Sequence, residues 1–558
     1  MMPFRCSSRA MLPAWVLLLA VLSGCDDSPR PAQDAGVQLP EDAGTLPWDG
    51  GYTVLEERGD NADDPGVLAP CTFLPPVGTS PGTCPEPSQF DLSACNVDSL
   101  GNVPGDGIYQ VRVRQEVALQ DGGTGGVLYH LYTQLRSDGG PSTLDGTPLT
   151  SVEKDAQRLF LDMALLRPDG GSNRYALAGC ESPEPGRFTG CFARCVNGQV
   201  RASATFEAHR MTWEGREPES SGGLQRISES YVAQGMPVDV YVAKEHAYVV
   251  SINFYNRPGK AGGLSVFDVK DRRNPVLKKV ISLPTDHFWN GVWSKGNALY
   301  VASADSGVIV FDISNPADPV LLRSVPGGPP LNVHTVLVEG DRLYGMSFSP
   351  TGETLVFDVS NPLEPVLRQR IHFPASTLGD VPHDAFAYGG RLYLNHTTGG
   401  YFVVDVSNLD DVKLLGTYPY ANGYSHHNAV GTFAGRTLAF EGSEGPGSHL
   451  RVLDVTDPAH IVKIGEFQLR SAPMPSIHNM LLVGQRLYVA WYQEGVRVLD
   501  VSNPTQPRQV AHYNTFRETD PERSDDMFEG AVGIRVPGDG YVYVVDTSRG
   551  LLIFNALE

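Results

Sequence analysis

From about residue 238 onward the chain is written in short apolar runs, rich in Val, Leu, Ile and Tyr, that stop at polar turn residues. LSVFDVK, VIVFDIS, TLVFDVS, YFVVDVS, LRVLDVT, VRVLDVS and LLIFNAL are seven versions of one such run. Two more runs precede it in the same order, as in HTVLVEGDRLYGMS and HNMLLVGQRLYVAW, separated by Gly-containing turns that suit antiparallel hairpins. Behind it comes a segment such as Asp358-Val359-Ser360-Asn361-Pro362, then a fourth run such as PVLRQRI. Asp and Asn bond nearby backbone amides and Pro has no N–H to give, so a strand ends there and the chain turns. Each unit therefore predicts four antiparallel strands.

The column of Asp268, Asp312, Asp358, Asp405, Asp454 and Asp500, closed by Asn555, steps by 44, 46, 47, 49, 46 and 55 residues. A repeat of about 40–50 residues with several strands per unit predicts the blades of a β-propeller. Seven units give seven blades. The column itself reads as turn-capping, because one carboxylate per blade at a strand end does not make a catalytic pair. After Asn555 only three residues remain, so the seventh blade lacks a fourth strand, while Leu224–Tyr231 is a spare one ahead of the first. The economical expectation is ring closure, with the early segment pairing as the outer strand of the last blade.

The recurring L-x-V-x-D-V-S-N-P phrase resembles the LVIVD-repeat family of bacterial surface and secreted proteins, across about three-fifths of the chain. The resemblance implies a propeller and an exported location; it supplies no catalytic residue.

The N-terminus points to export as well. Arg5 and Arg9 precede an apolar stretch, Met11 to Leu22, that is too short for a membrane span and fits a secretory signal. It ends in Leu22-Ser23-Gly24-Cys25, which resembles a bacterial lipoprotein processing site, so Cys25 is the expected lipidation site. The expected divisions are residues 1–24 as the lipoprotein signal peptide, 25–66 as a Pro/Asp/Ala/Gly-rich tether, 67–220 as a Cys-rich antiparallel β-domain and 224–558 as the propeller. The localisation this implies is a lipid anchor in the cell envelope, in the outer membrane on its periplasmic side or at the surface. Asp26 after the Cys resembles an inner-membrane retention signal, so that membrane stays open too.

Six cysteines remain for the mature chain: Cys71, Cys84, Cys95, Cys180, Cys191 and Cys195. All precede the propeller, and an even number in an exported protein predicts three disulfides. Zinc is the rival, through Cys191-x3-Cys195, but the other spacings match no common zinc module. Between them, alternating segments at Gly107–Ala118, Gly126–Leu135, Arg158–Leu166, Arg174–Ala178 and Val200–Trp213 predict a sandwich or small barrel, with a helical turn over Thr150–Gln157. The fold class is all-β: a C-terminal seven-bladed propeller plus a smaller disulfide-containing antiparallel domain.

The formal net charge of −21 offers no basic stripe for nucleic acid. No phosphate-cradling Gly loop or HExxH is present, and no catalytic residue is assigned. One constellation carries possible chemistry. Asp239, Asn290, His334, His383, His427, His478 and Glu529 stand near the starts of the seven first strands, which line the axial channel. The ring has two readings: a structural, water-binding ring, or a metal or other ligand site in which neighbours such as His383 and His427 hold a divalent transition metal. Strand alternation expects His426 to face away. Trp289, Trp293, Trp491, Tyr424 and Tyr492 are candidates for apolar packing or carbohydrate stacking.

Two function classes follow. The first is a monomeric, lipid-anchored binding or scaffold protein that holds an envelope protein, peptide or glycan and needs no cofactor. The second is a metal-dependent enzyme at the His-lined mouth of the channel.

Overall fold

A computed structural model describes residues 47–60, 63–75, 84–118, 123–168, 170–254, 259–375, 379–469 and 474–557. The expected signal peptide, Cys25 and the first part of the expected tether lie outside the described residues. Among the described residues no helix is long and apolar enough to cross a membrane.

The repeats form seven antiparallel blades whose innermost strands are Met236–Ala243, Trp289–Lys295, Asn332–Glu339, Asp384–Tyr388, Ser425–Phe433, Met480–Val483 and Ala531–Arg535. Each blade proceeds outward in chain order, so the third strands are buried on both faces and the fourth face solvent. Apolar clusters fill the spaces between neighbouring blades: Val301, Ile309 and Phe311 of blade two, for instance, pack with Tyr248, Val250 and Val266 of blade one. Burial of each such Val, Ile or Leu side chain contributes about 1.5–3 kcal/mol, which makes the inter-blade seams the main stabilising feature of the ring.

The ring closes as the sequence predicts. Arg226–Ser230 pairs antiparallel with Gly550–Asn555, Arg226 opposite Phe554 and Ser230 opposite Leu551. The Asp column caps its turns: Asp312, Asp358, Asp405, Asp454 and Asp500 each accept from the backbone N–H two residues on, at 2.7–3.0 Å. Asn555 does not cap in this way, because the N–H two residues on, of Leu557, donates to the Tyr488 hydroxyl at 2.9 Å. The Asn555 side chain bridges to the closing segment instead, accepting from Gln225 N at 2.7 Å and donating to Gly223 O at 3.1 Å.

The N-terminal region is the expected smaller, disulfide-containing antiparallel β-domain. It is one curled antiparallel sheet of nine strands, in the spatial order Thr147–Pro148, Thr143–Leu144, Thr124–Leu135, Gly107–Ala118, Gln199–Arg210, Arg187–Val196, Ser172–Glu184, Leu159–Leu166, Ser151–Lys154. Only Leu149 and Thr150 separate the two end strands in the chain; Leu149 N donates to Ser142 O at 2.8 Å and Thr150 N to Asp162 O at 2.7 Å, so one run of backbone borders both ends of the curled sheet. Ser151–Lys154 is a strand where a helical turn was expected; it finds a partner in Leu159–Leu166. Alternation gives the sheet two apolar faces. One gathers Tyr109, Leu161, Leu177, Phe192 and Phe206; the other gathers Phe160, Ala176, Ala178 and Ala193 beneath a strap that carries Phe73 and Phe90. Three disulfides tie the strap down: Cys71–Cys191, Cys84–Cys195 and Cys95–Cys180.

The stretch Pro47–Asp60, expected as the end of a loose tether, is built onto the fifth blade. Trp48 and Tyr52 pack against that blade's apolar cluster, and Glu57 and Asp60 reach the buried Arg451. Gly59 makes the approach possible: its φ is +75°, and a Cβ there would stand 2.1 Å from Ala421 O. Composition concealed this, because the segment buries few apolar groups and is held largely by charge.

The nine-stranded sheet is seated on the propeller. Arg210 donates to Glu518, Trp213 Nε1 donates to Phe516 O at 2.7 Å, and Gln110 exchanges two hydrogen bonds with Met474. Glu518, Phe516 and Met474 all lie in connections that lead from a fourth strand to the next first strand. The sheet therefore rests on the face at which the first strands begin.

Candidate functional site

The first strands do line the channel, but a recurring bulge shifts which residues share a level. The pairing of first and second strands slips at Val238, Asn290, His334, His426 and Val532, each of which is the extra residue in its ladder. A bulge turns the local side chains out of simple alternation. His426, expected to face away, consequently enters the cluster, and His427 drops out of it.

Ring contacts trace an arc across blades two to six. Asn290 Nδ2 donates to His334 Nε2 at 3.1 Å; the His334 and His383 rings are 4.3 Å apart, His383 and His426 4.1 Å, and His426 and His478 4.3 Å. Glu444, in the loop between the second and third strands of blade five, comes within 3.8 Å of His426 Nε2 and 3.9 Å of His478 Nε2, and accepts a hydrogen bond from the Tyr492 hydroxyl. Four half-buried aromatics, Phe254, Phe348, Tyr424 and Phe528, and the buried Tyr492 wall the arc. Phe348 stacks on His334 at 4.2 Å, Tyr424 meets His383 edge-on, and Tyr492 leads to Phe528 and then Phe254.

Three residues of the expected ring sit elsewhere. His427 Nε2 lies 4.0 Å from Asp384, and Arg535 lies 4.0 Å from Asp239, in a separate group. Arg535 there stands over the rings of Tyr241 and Trp293. Glu529 belongs to a third set: it receives hydrogen bonds from Arg523, Thr547 and Ser524, all within the seventh blade and the connection leading to it. Its place in the ring is taken by Val532, so the alignment there was three residues out. Trp289 and Trp491 are fully buried packing residues.

Burial sets the protonation of the arc. Loss of solvent pushes His334 down to about 3 and His478 to about 4, and holds His383 and His426 well below the ordinary imidazole value. The same loss pushes Glu444 up to about 7. At neutral pH the imidazoles are uncharged, so each keeps one ring-nitrogen lone pair for a hydrogen or an ion.

Glu444 and His426 are the members that sequence reasoning missed, while Tyr492 was expected as a packing or stacking aromatic and not as part of the ring. Glu444 and Tyr492 lie in loops outside the strand repeat, and His426 was hidden by its bulge. The sequence signal for blade five was present as the doublet His426-His427, of which strand alternation selected the wrong member.

The family model for the LVIVD repeat matches residues 290–326 and 478–515. The chain carries LVIVD repeats. No curated protein matches it. Among solved structures it is similar to the WD40 β-propeller domain of Doa1, with TM-score 0.42 and 13% identity over 60% of this chain and 98% of that one. It is also similar to the computationally designed Ika8 protein, with TM-score 0.39 and 10% identity over 60% of this chain and 100% of that one.

Proposed function

We propose that this is an exported, lipid-anchored binding protein of the cell envelope that holds a protein, peptide or glycan at the mouth of its propeller. The observation that carries the reading is the mouth itself, in which Phe254, Phe348, Tyr424, Tyr492 and Phe528 surround convergent polar groups. Apolar walls around a few directed donors and acceptors are what a ligand site needs, and flat aromatic faces suit sugar rings and peptide side chains alike. The nine-stranded sheet, seated on this same face, adds a fixed wall. Three disulfides support an oxidising compartment, and Leu22-Ser23-Gly24-Cys25 supports the anchor.

The test is binding of the full chain, in detergent, to arrays of envelope glycans and of peptides. Phe348→Ala and Phe528→Ala should each weaken the interaction about tenfold, the loss of one aromatic contact. Lys279→Ala, on the solvent-facing outer strand of blade one, should leave it unchanged. Equal affinity in all three variants would place the ligand elsewhere.

A second reading, a metal-dependent enzyme at the same mouth, is favoured by one observation: His383, His426 and Glu444 converge there.

A further inference from the structure

We infer that His383, His426 and Glu444 hold a divalent transition-metal ion at the mouth of the channel, with His478 as a fourth ligand. The inference requires neither that the mouth bind a larger ligand nor that it catalyse a reaction.

Geometry comes first. One ligand atom from each of His383, His426 and Glu444 lies within 4.8 Å of the other two. Donors around a tetrahedral ion at 2.0–2.2 Å stand about 3.3 Å apart, so ring and carboxylate rotations of about an ångström bring the three into register. His478 Nε2 is 3.9 Å from the same Glu444 carboxylate and closes the set.

Unspent donor capacity is the second, independent observation. His383 and His426 are 4% and 2% exposed, yet Nδ1 of each has no hydrogen-bond partner among the described residues. A buried ring nitrogen has lost its water, and two such nitrogens on rings whose centres are 4.1 Å apart leave bonding capacity that a ligand could take up.

The groups behind the ligands complete the case. His478 Nδ1 donates to Val532 O at 2.9 Å, which leaves Nε2, on the Glu444 side, carrying the lone pair. The His383 ring bonds the backbone of His426, and the Tyr492 hydroxyl donates to Glu444. Metal-binding histidines and carboxylates are oriented by such outer bonds.

The donor set names the class of ion. Three imidazoles and one carboxylate suit zinc, cobalt, nickel or ferrous iron, whereas calcium and magnesium take six or more oxygens. The cysteine group around Cys71, Cys95 and Cys180 does not compete, because each of those sulfurs is in a disulfide.

The experiment uses the full, untagged chain in detergent, stripped with a chelator and titrated with Co2+ and then Zn2+. One equivalent of Co2+ should give a visible absorption band that Zn2+ abolishes, and either ion should raise the melting temperature. His426→Ala and the nearly isosteric Glu444→Gln should each lose at least about tenfold in affinity, while His460→Ala, on the surface, should bind as the parent does. If His426→Ala fails to fold, Glu444→Gln decides. A parent protein with neither band nor thermal shift would show that the histidines hold only water, and unchanged affinity in Glu444→Gln would equally overturn the site.

Discussion

Arg451 Nε donates to Glu57 Oε2 at 3.0 Å across 394 residues of chain, joining the N-terminal segment to the third strand of blade five. Its Nη2 reaches Asp60 Oδ1 at 3.1 Å, and its guanidinium lies 3.9 Å from the centre of the Tyr420 ring. Burial pushes the Glu57 carboxyl up, but the hydrogen bond and charge of Arg451 outweigh it and hold the group down to about 2. Two neighbouring blades repeat the device. Arg497 is met by Glu217, and Arg549 by Glu229. Chain N-terminal to the first inner strand thus meets each of the last three blades through a buried arginine.

Truncating Arg451 should therefore be severe. Arg451→Ala strands Asp60 and Glu441 as buried carboxyls and should cost about 3–5 kcal/mol. Arg58→Ala, which removes only the exposed pair with Glu56, should cost about 1 kcal/mol or less. Denaturant unfolding of both variants measures the difference; similar midpoints would mean that the clasp contributes little.

The same logic reaches the ring closure. Glu229 lies opposite Leu552 in the closing ladder and accepts from Arg549 Nε at 3.0 Å. Glu229→Ala leaves a buried guanidinium short of a partner and should lower stability by about 1–3 kcal/mol. A melting temperature equal to the parent's would argue that the closing strand holds by its backbone alone.

Asp525 makes docking of the sheet depend on pH. Its Oδ1 accepts from Thr143 Oγ1 at 2.8 Å, and Oδ2 is buried without a hydrogen-bond partner among the described residues. Burial, with the nearby carboxyls of Asp145 and Asp526, pushes the group up to about 8. A carboxyl raised in the folded state contributes stability that is full below its unfolded value of about 3.9 and is lost as pH rises through the folded value. Asp525→Asn mimics the protonated form, so it should be more stable than the parent at about pH 8 and similar at about pH 4. Denaturant midpoints at the two pH values check this; a difference of the opposite sign would mean that Asp525 is ionised in the fold.

The anchor has its own test. Lipid chains contribute about 0.8 kcal/mol per buried methylene, and more than one chain gives stable attachment. Cys25→Ala should move the protein from the membrane to the soluble fraction. Persistent detergent-dependent fractionation of that variant would remove the lipoprotein reading.

The sequence by itself determined the ring. The blade count, the four strands per blade, the turn-capping aspartates and the outer strand borrowed from Leu224–Tyr231 are all local or periodic signals. Period-two alternation and turn chemistry act within a few residues, and a 40–50-residue repeat multiplies the signal sevenfold. The cysteine count likewise gave three disulfides, though only the curled sheet decided that Cys71, Cys84 and Cys95 of the strap pair with Cys191, Cys195 and Cys180.

What the tertiary structure alone decided lies where periodicity breaks. One extra residue in the ladder of blade five exchanged His427 for His426, because a single-residue slip in a strand changes the face that each side chain presents. Glu444 joined the cluster from a loop whose path no repeat dictates. The clasp on blade five showed in sequence only as Arg451, standing where blades two and three carry Ile309 and Leu355; its partner Glu57 lay in a segment that composition marks as uncommitted. A lone charge in an apolar column signals that a counter-charge is needed, but Coulomb attraction carries no sequence register, and only the folded chain says which carboxylate arrives.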